Sequence, residues 1–244
     1  MTRAFALLAC AAAACGSDGR DRPADVLAFS RTAGFRHDSA IIAATTTLPD
    51  ELAARGLTIR FTEDAAAFTD ANLARFHAVF FLYTTLDVLD ADQQAAFERF
   101  AGAGGGFIGI HSAADTEYDW PFYQQLVGAT FASHPAIQPA TIDIVDRTHP
   151  ATAALPDGRW SAEDEWYNFV QSPRGDGITV LLTVDETTYS GGTMGADHPI
   201  AWSHERLGGR AFYSALGHDG TRWSEPAFVA HVLGGIEWVL EGAP

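Results

Sequence analysis

The chain has 244 residues, of which 47% are hydrophobic, and its 31 acidic and 15 basic residues give a net charge of −16. This length and apolar content suit one large α/β domain, and the acidic balance without a basic cluster argues against a nucleic-acid partner. No run of 18 apolar residues occurs, so no membrane-spanning helix is expected.

Residues 1–23 have the pattern of an export leader followed by a polar tether. One early arginine precedes an apolar stretch over residues 4–14, which ends in the small-residue segment AAAACGS. This segment resembles a bacterial lipoprotein signal, which predicts lipidation of Cys15 and anchoring in the bacterial cell envelope, facing the periplasm or on the surface. A plain cleaved signal is the alternative. Cys10 and Cys15 are the only cysteines, so the domain over 24–244 has no thiol for a disulfide or a catalytic cysteine.

The first half of this domain alternates predicted strands with predicted helices. Apolar runs at 26–30, 57–63, 78–84 and 106–111 are strand candidates, and amphipathic stretches separate them. Asp90 is placed to cap the helix that ends in the glycine run before residue 106. Continuous apolar strands separated by helices predict a mostly parallel central sheet with helices on both faces.

The second half is less regular, with long polar segments between its apolar runs. Four strand candidates are ATIDIVD, TVLLTVDE, PIAWSHE and RAFYSALGH, and a closing helix follows with Ser224 as its expected cap and Pro226 in its first turn. No internal repeat or linker is evident, so one domain is expected.

Several histidines follow predicted strands. His37 comes after the first strand, His111 ends the fourth, and His204 and His218 end late strands. In open α/β sheets the binding crevice lies at the carboxyl ends of the strands. These residues are therefore expected to meet at one edge of the sheet, together with the acidic residues that follow His111.

Five segments of the chain resemble the ThuA-like family, named for a trehalose-utilisation protein. They cover most of the chain after the leader and are GFRHDS (34–39), GGGFIGIHSAADTEYDWPFYQQLVGATFASHP (104–135), DEWYNF (164–169), VDETTYSGGTMGADHPIAWSHE (184–205) and GGRAFYSALGH (208–218). The resemblance implies a flavodoxin-like fold, similar to that of class I glutamine amidotransferases. In that fold a cysteine occupies the turn after a central strand, and His111 is expected at this position.

The motif GIHSA departs from the amidotransferase pattern. An amidotransferase needs a thiolate that attacks the glutamine amide, and an imidazole cannot replace it with unchanged partner geometry. Ser112 is the nearest hydroxyl, but one position along a strand-to-helix turn its side chain points elsewhere. Glutaminase activity is therefore not expected.

Three residues are the candidates for catalysis. An imidazole at His111 can act as a general acid or base near neutral pH, or bind a metal through one nitrogen. His218 follows the last long apolar strand, and the amidotransferase-like arrangement implies that it approaches the turn that holds His111, which we call the elbow. Glu165 lies among aromatic residues, where a carboxylate can hold sugar hydroxyls or serve as an acid. For each, a structural role is the alternative.

Other polar and aromatic residues are the candidates for substrate binding. Rings near the carboxylates suit stacking on a sugar, and the loops after the strands supply imidazoles, acids and a guanidinium. The candidate set is Arg36, His37, Asp115, Glu117, Trp120, His134, Trp166, Tyr167, Asp197, His198 and His204. Consecutive strand residues point to opposite faces, so only one of His204 and Glu205 is expected to enter the pocket.

No cofactor is expected from these motifs. Many histidines and acids near one edge suit a divalent metal, but no short ligand pair such as HExxH is present, so any ligand set stays unknown. The glycine-rich GAGGGFIG precedes a strand instead of following one, which is the wrong context for a dinucleotide fingerprint.

Together these features predict an exported protein of carbohydrate metabolism with a small-molecule sugar as its partner. The first hypothesis is an enzyme that acts on a sugar or keto-sugar by His/Glu acid–base chemistry, as an isomerase, lyase or hydrolase without a cysteine nucleophile. A non-catalytic carbohydrate-binding lipoprotein and a metal-dependent hydrolase are the alternatives. The sequence leaves the oligomeric state open.

Overall fold

The computed structural model describes residues 24–175 and 177–243, which form six α-helices and eleven β-strands. The helices are α1 (Asp38–Ala53), α2 (Asp70–Leu73), α3 (Ala91–Gly102), α4 (Pro121–Val127), α5 (Pro150–Ala153) and α6 (Pro226–Glu241). The strands are β1 (Val26–Phe29), β2 (Ile59–Thr62), β3 (Ala78–Leu82), β4 (Gly106–Ile110), β5 (Phe131–Ser133), β6 (Gln138–Ile144), β7 (Trp160–Asp164), β8 (Asn168–Phe169), β9 (Ile178–Asp185), β10 (Pro199–His204) and β11 (Ala211–Ser214).

The predicted leader, including Cys15, lies outside the described residues. Within the described ranges, no helix has the length and apolar character needed to cross a membrane.

Nine strands form one sheet in the order β2-β1-β3-β4-β11-β10-β9-β6-β7. Neighbours are parallel from β2 to β11 and antiparallel from β11 to β7. The remaining two, β5 and β8, pair with each other. The order 2-1-3-4 in the parallel half is that of flavodoxin-like folds. The predicted α/β fold, with a large central sheet flanked by helices, is therefore confirmed.

The core of the parallel half follows from the apolar strands. Every residue of β1, β3, β4 and β11 is buried, whereas the outer strand β2 is partly exposed. Side chains alternate between the two faces of a strand, so complete burial requires cover on both faces. Helix α6 packs against β4 and β11. At Gly235 a Cβ would come within 2.3 Å of the Phe212 ring, which explains a glycine inside this helix.

The helix ends agree with the predictions in part. Asp90 caps α3 through a complete capping box with Gln93, as predicted. The N-cap residue of α6 is Glu225 instead of the predicted Ser224, and that of α1 is His37; neither makes a side-chain capping bond.

The four predicted strands of the second half correspond to β6, β9, β10 and β11. The prediction missed β7, because its acidic residues gave the segment the character of a loop. In β7 the side chains of Trp160, Ala162 and Asp164 are buried while the two between them are exposed. This alternation is that of a strand with one covered face, and it places Glu165 directly after a strand end.

Candidate functional site

His111 occupies the sharp turn that directly follows β4. Its φ of 51° is in the left-handed region, where a residue with a Cβ is strained. The buried ring donates a hydrogen bond from Nδ1 to the carbonyl oxygen of Ala215 at 2.7 Å. The Tyr213 hydroxyl donates to the carbonyl oxygen of His111, also at 2.7 Å. Contacts with β11 and the residue after it therefore fix both the ring and the main chain of this elbow.

Backbone strain is concentrated around this elbow. Among the described residues, four non-glycine positions have positive φ, and they are Tyr83, Leu86, His111 and Glu117. All four lie in the loops after β3 and β4, at the carboxyl edge of the parallel strands. Such strain persists only where the surrounding contacts enforce it, and it is typical of functional sites.

Three imidazoles converge on the carboxylate of Glu165. The Oε2 atom lies 3.1 Å from Nδ1 of His218 and 3.4 Å from Nε2 of His111, and Oε1 lies 2.9 Å from Nδ1 of His134. The two ring nitrogens of His218 and His111 are themselves 3.3 Å apart. The structure thus brings together the three residues predicted as catalytic, with His134 on the outer oxygen.

His37, the residue directly before α1, is the fourth member of this group of side chains. Its ring centroid is 4.7 Å from that of His111 and 5.0 Å from that of His218. The Oγ atom of Ser112 is 3.4 Å from Nδ1 of His37. One ligand atom from each of His37, His111, Glu165 and His218 lies within 4.8 Å of the others. We call these four residues the histidine–glutamate cluster.

Asp164 fixes the main chain of two cluster residues, Glu165 and His218, a role that the sequence did not reveal. Its carboxylate accepts hydrogen bonds from the main-chain N–H groups of Glu165, Gly217 and His218 at 2.9, 2.8 and 3.0 Å. Nε of the buried Arg222 lies 3.3 Å from the same carboxylate. Because three strands separate β7 from β11 in the sheet, these bonds require the antiparallel half to curl back toward the cluster.

The environment of the cluster shifts the pKa values of its members in different directions. Burial opposes ionisation of Glu165, but the contacts of its carboxylate with the imidazoles of His111 and His218 outweigh this effect and lower the pKa of the carboxyl. Burial likewise opposes charging of His218, yet its hydrogen bond to Glu165 and the nearby acids raise the pKa of that imidazole. Burial and the neighbouring imidazoles lower the pKa of His37 to about 2. A carboxylate, a readily protonated imidazole and a neutral imidazole therefore share one site.

Aromatic residues surround the cluster. The buried ring of Tyr167 packs against His111, with centroids 4.2 Å apart. Tyr118 donates a hydrogen bond to Asp115, whose pKa is raised by burial. The exposed Phe35 packs edge-on against His37 and lies nearly parallel to His218. Phe35 was missed as a site residue, although it lies in the GFRHDS segment beside two predicted ones.

Two predicted histidines do not reach the cluster, and for His204 the reason is a change of strand direction within the sheet. Strand β10 runs antiparallel to β11, so its last residue, His204, lies at the opposite edge and bonds the Leu126 carbonyl at 2.8 Å. His198 precedes β10 and so lies at the correct edge. Its ring bonds the Tyr167 carbonyl and Glu186, each at 2.8 Å. His198 thus supports Tyr167 and does not reach the cluster.

Both predicted tryptophans belong to the core. Trp166 is 1% exposed and donates from its indole nitrogen to the Gln138 carbonyl at 2.8 Å. Trp120 packs against Phe97, Phe122 and Tyr123. Neither ring is available for stacking on a sugar, so we do not assign them to the site.

Three predicted charged residues have structural partners. Arg36 pairs with Asp38 and Glu63, and Asp197 pairs with Arg174 at the surface. The buried carboxylate of Glu117 accepts from the main-chain N–H groups of Val88 and Leu89 and from Gln94, which joins the loops after β3 and β4. Because these side chains already have partners within the protein, we do not assign them to substrate binding.

The cluster has the donor set of a divalent metal site. Because the Ala215 carbonyl can only accept, Nδ1 of His111 carries its hydrogen, which turns the lone pair of neutral Nε2 toward Glu165 and His218. The ligand atoms of His111, Glu165 and His218 are 3.1–3.4 Å apart. Tetrahedral zinc with bonds of about 2.0–2.1 Å separates its ligands by about 3.3 Å. These three residues could therefore hold a cation, with His37 beside it.

Comparisons with known proteins agree on the family. The sequence model of the family described as ThuA, trehalose utilisation, matches residues 25–239. A search of curated protein sequences found no significant match.

The solved structures that the chain resembles share its fold at low sequence identity. A ThuA-like protein from Bacteroides uniformis ATCC 8492 is 23% identical, with a TM-score of 0.75 over 88% of this chain and 89% of that one. A ThuA-like protein from Parabacteroides merdae ATCC 43184 is 18% identical, with a TM-score of 0.74 over 91% of both chains. The β-galactosidase from Rahnella sp. R3 is 15% identical, with a TM-score of 0.56 over 90% of this chain but 31% of that one.

Proposed function

The chain belongs to the ThuA family, and from that premise we propose that it is an exported enzyme of carbohydrate metabolism that acts on a sugar or keto-sugar. The reaction would take place at the histidine–glutamate cluster by acid–base chemistry. One observation carries the proposal, namely that His111, His134 and His218 all contact the carboxylate of Glu165 at the strained edge of the sheet. The family description, trehalose utilisation, supports the choice of a sugar as substrate.

The electrostatics favour a division of roles within the cluster. His218, whose pKa is raised, is the candidate proton donor, and Glu165 stabilises its charged form. His37, whose pKa is lowered to about 2, stays neutral and would contact the substrate as an uncharged hydrogen-bonding group. Groups whose pKa values are pushed apart in one site are the usual basis of acid–base catalysis. His111, fixed by Ala215, would orient the other two.

A covalent mechanism has less support. No cysteine occurs after residue 15, and Ser112 is fully buried with only a long contact of 3.4 Å to His37. The chain also contains no lysine, so a lysine Schiff base with a keto-sugar is not available. Proton transfer to and from the substrate is the chemistry that this residue set suits best.

Turnover assays on a panel of glycosides and 3-keto-glycosides would test the proposal. We expect wild-type turnover of at least one member, and a loss of about 100-fold or more in kcat/KM in His111→Ala and His218→Ala. His77→Ala is the matched control, because His77 lies at the opposite, amino edge of β3. Turnover of no substrate, or equal turnover in all three variants, would contradict it. A sugar that binds in calorimetry without product would instead indicate a binding protein.

A metal-dependent hydrolase is the second candidate, favoured by the spacing of the ligand atoms. His111, Glu165 and His218 present three atoms at the mutual distances of a tetrahedral site. His134 contacts the second oxygen of Glu165, as outer-shell partners of metal ligands do. A cation here would take the lone pairs of His111 and His218, so these two residues would not act as proton carriers.

Elemental analysis separates the two candidates. If a metal is required, protein purified without chelator and then loaded with Zn²⁺, Mn²⁺ or Fe²⁺ should retain about one equivalent. His218→Ala should then lose the metal, and His77→Ala should keep it. No retained metal, together with activity that is unaffected by chelator, would remove this candidate and leave the acid–base proposal in place.

A further inference from the structure

Large apolar side chains are exposed around the cluster. Phe35, Leu86 and Tyr118 have 67%, 41% and 39% of their surface exposed. They come from the loops after β1, β3 and β4, three neighbouring strands of which the last leads directly into His111. Apolar groups kept in water near a polar site commonly mark a ligand-binding surface.

The main chain holds Phe35 in place. The Thr85 hydroxyl donates to the carbonyl oxygen of Phe35 at 3.1 Å and accepts from the N–H of Gly34 at 3.0 Å. A Cβ on Gly34 would come within 2.9 Å of the Leu86 side chain, which explains the glycine before the exposed ring. Contacts between the loops after β1 and β3 thus fix the exposed position of Phe35, and the ring is preorganised for a ligand.

The position of the ring matches the accessible side of the cluster. His111 is fully buried and Glu165 has 9% of its side chain exposed, whereas His218 retains 19%. Phe35 lies nearly parallel to this more exposed His218, at 14° with centroids 6.5 Å apart, and contacts His37 at 4.8 Å. A ligand that reaches His218 from solvent would therefore pass along the face of Phe35.

The charges of the site favour an uncharged ligand. Glu165 and Asp115 contribute carboxyl groups, and among the described contacts no guanidinium touches any member of the histidine–glutamate cluster. The nearest arginine in sequence, Arg36, is held by Asp38 and Glu63. Phosphate and carboxylate groups are usually recognised by arginine or lysine.

We infer that Phe35 is the platform on which the apolar face of a neutral pyranose ring stacks, and that the site selects uncharged glycosides over sugar phosphates and uronates. The inference rests on the proposed function, because it concerns the substrate of that same site. An aromatic ring provides a large apolar surface at little entropic cost, which suits the C–H face of a sugar. Phe35 would then determine specificity and take no part in proton transfer.

Calorimetry on the full chain tests the inference with neutral glycosides and their charged analogues. The probes are trehalose, methyl α-glucoside, the 3-keto form of each, trehalose 6-phosphate and methyl α-glucuronide. For the neutral probe that binds best, we expect Phe35→Ala to weaken binding about tenfold. Phe35→Tyr should restore it, and Ile42→Ala is the control, because Ile42 is equally exposed (65%) but lies on α1. The charged analogue should bind at least tenfold more weakly than its neutral counterpart.

The possible outcomes separate this inference from the proposed function. Unchanged sugar binding in Phe35→Ala, or tighter binding of the phosphate or uronate, would overturn the inference while leaving a sugar-binding site. Binding and turnover of none of the probes by the wild type would instead contradict the proposed function, and the platform assignment with it.

Discussion

The carboxylate of Asp164 accepts hydrogen bonds from the main-chain N–H groups of both Gly217 and His218, at 2.8 and 3.0 Å. Asp164 ends β7, and His218 lies in the loop after β11. The same carboxylate also accepts from the N–H of Glu165. One buried side chain therefore fixes the separation of the acid and the imidazole that meet in the cluster.

Asp164→Asn should destabilise the fold, because the amide nitrogen cannot accept from an N–H group and cannot pair with Arg222. We expect a loss of about 2–4 kcal/mol in the free energy of unfolding, measured with urea, since the change removes one of the two carboxylates that pair with the buried Arg222 and leaves only Glu225. Asp197→Asn is the matched control, because it removes a surface ion pair with Arg174 and should cost less than about 1 kcal/mol. Equal effects of the two substitutions would contradict the assigned role.

Gly217→Ala should be more costly than the same change at another left-handed glycine. At Gly217, φ is 107° and a Cβ would lie 2.7 Å from the Phe228 ring and 2.8 Å from the Tyr83 hydroxyl. Gly56 has a φ of 71° with nothing within 4 Å. We expect Gly56→Ala to lower the free energy of unfolding by about 1 kcal/mol and Gly217→Ala by about 3 kcal/mol or more. Similar losses would show that the loop before His218 adapts freely.

Acid should destabilise the protein through three buried histidines outside the cluster. Burial lowers the pKa values of His149, His204 and His231 to about 4. Below about pH 6.5 the unfolded chain takes up protons at these residues that the folded chain does not, so stability falls as the pH drops toward 4. Each residue contributes up to about 1.4 kcal/mol per pH unit. His218, whose pKa is raised, opposes this trend, whereas His37 and His198, whose pKa values are lowered mainly by burial, add to it.

Urea unfolding at several values between pH 7.5 and 5 measures this dependence. The free energy of unfolding should decrease with falling pH, and His204→Gln should flatten the slope while an amide N–H still donates to the Leu126 carbonyl. A stability that is constant or rises as the pH falls would contradict the burial of these histidines in neutral form.

Lipidation at Cys15 remains a prediction from the sequence. In a bacterial host, the full chain should fractionate with membranes and incorporate labelled palmitate, because each buried CH₂ of an acyl chain contributes about 0.8 kcal/mol to membrane binding. Cys15→Ser should abolish both properties, whereas Cys10→Ser should preserve them. Membrane association that survives Cys15→Ser would indicate another means of attachment.

The sequence determined the parallel half of the fold and its principal site residues. Continuous apolar runs indicated β1, β3 and β4, and the rule that parallel strands end at one edge placed His37 and His111 together. Local pattern sufficed for β1 to β4 because each connection between these strands returns the chain to the same edge.

Only the tertiary structure decided which of the remaining candidates reach the cluster. The apolar pattern of β10 does not show that it runs antiparallel to β11, and this direction carries His204 to the opposite edge. Likewise, no local feature shows that the sheet curls until Asp164 meets Gly217 and His218. Strand periodicity reports which face of a strand is buried, whereas strand direction and sheet curvature depend on long-range pairing. The platform residue Phe35 was missed for the same reason, since exposure beside a site is defined only after the loops have assembled.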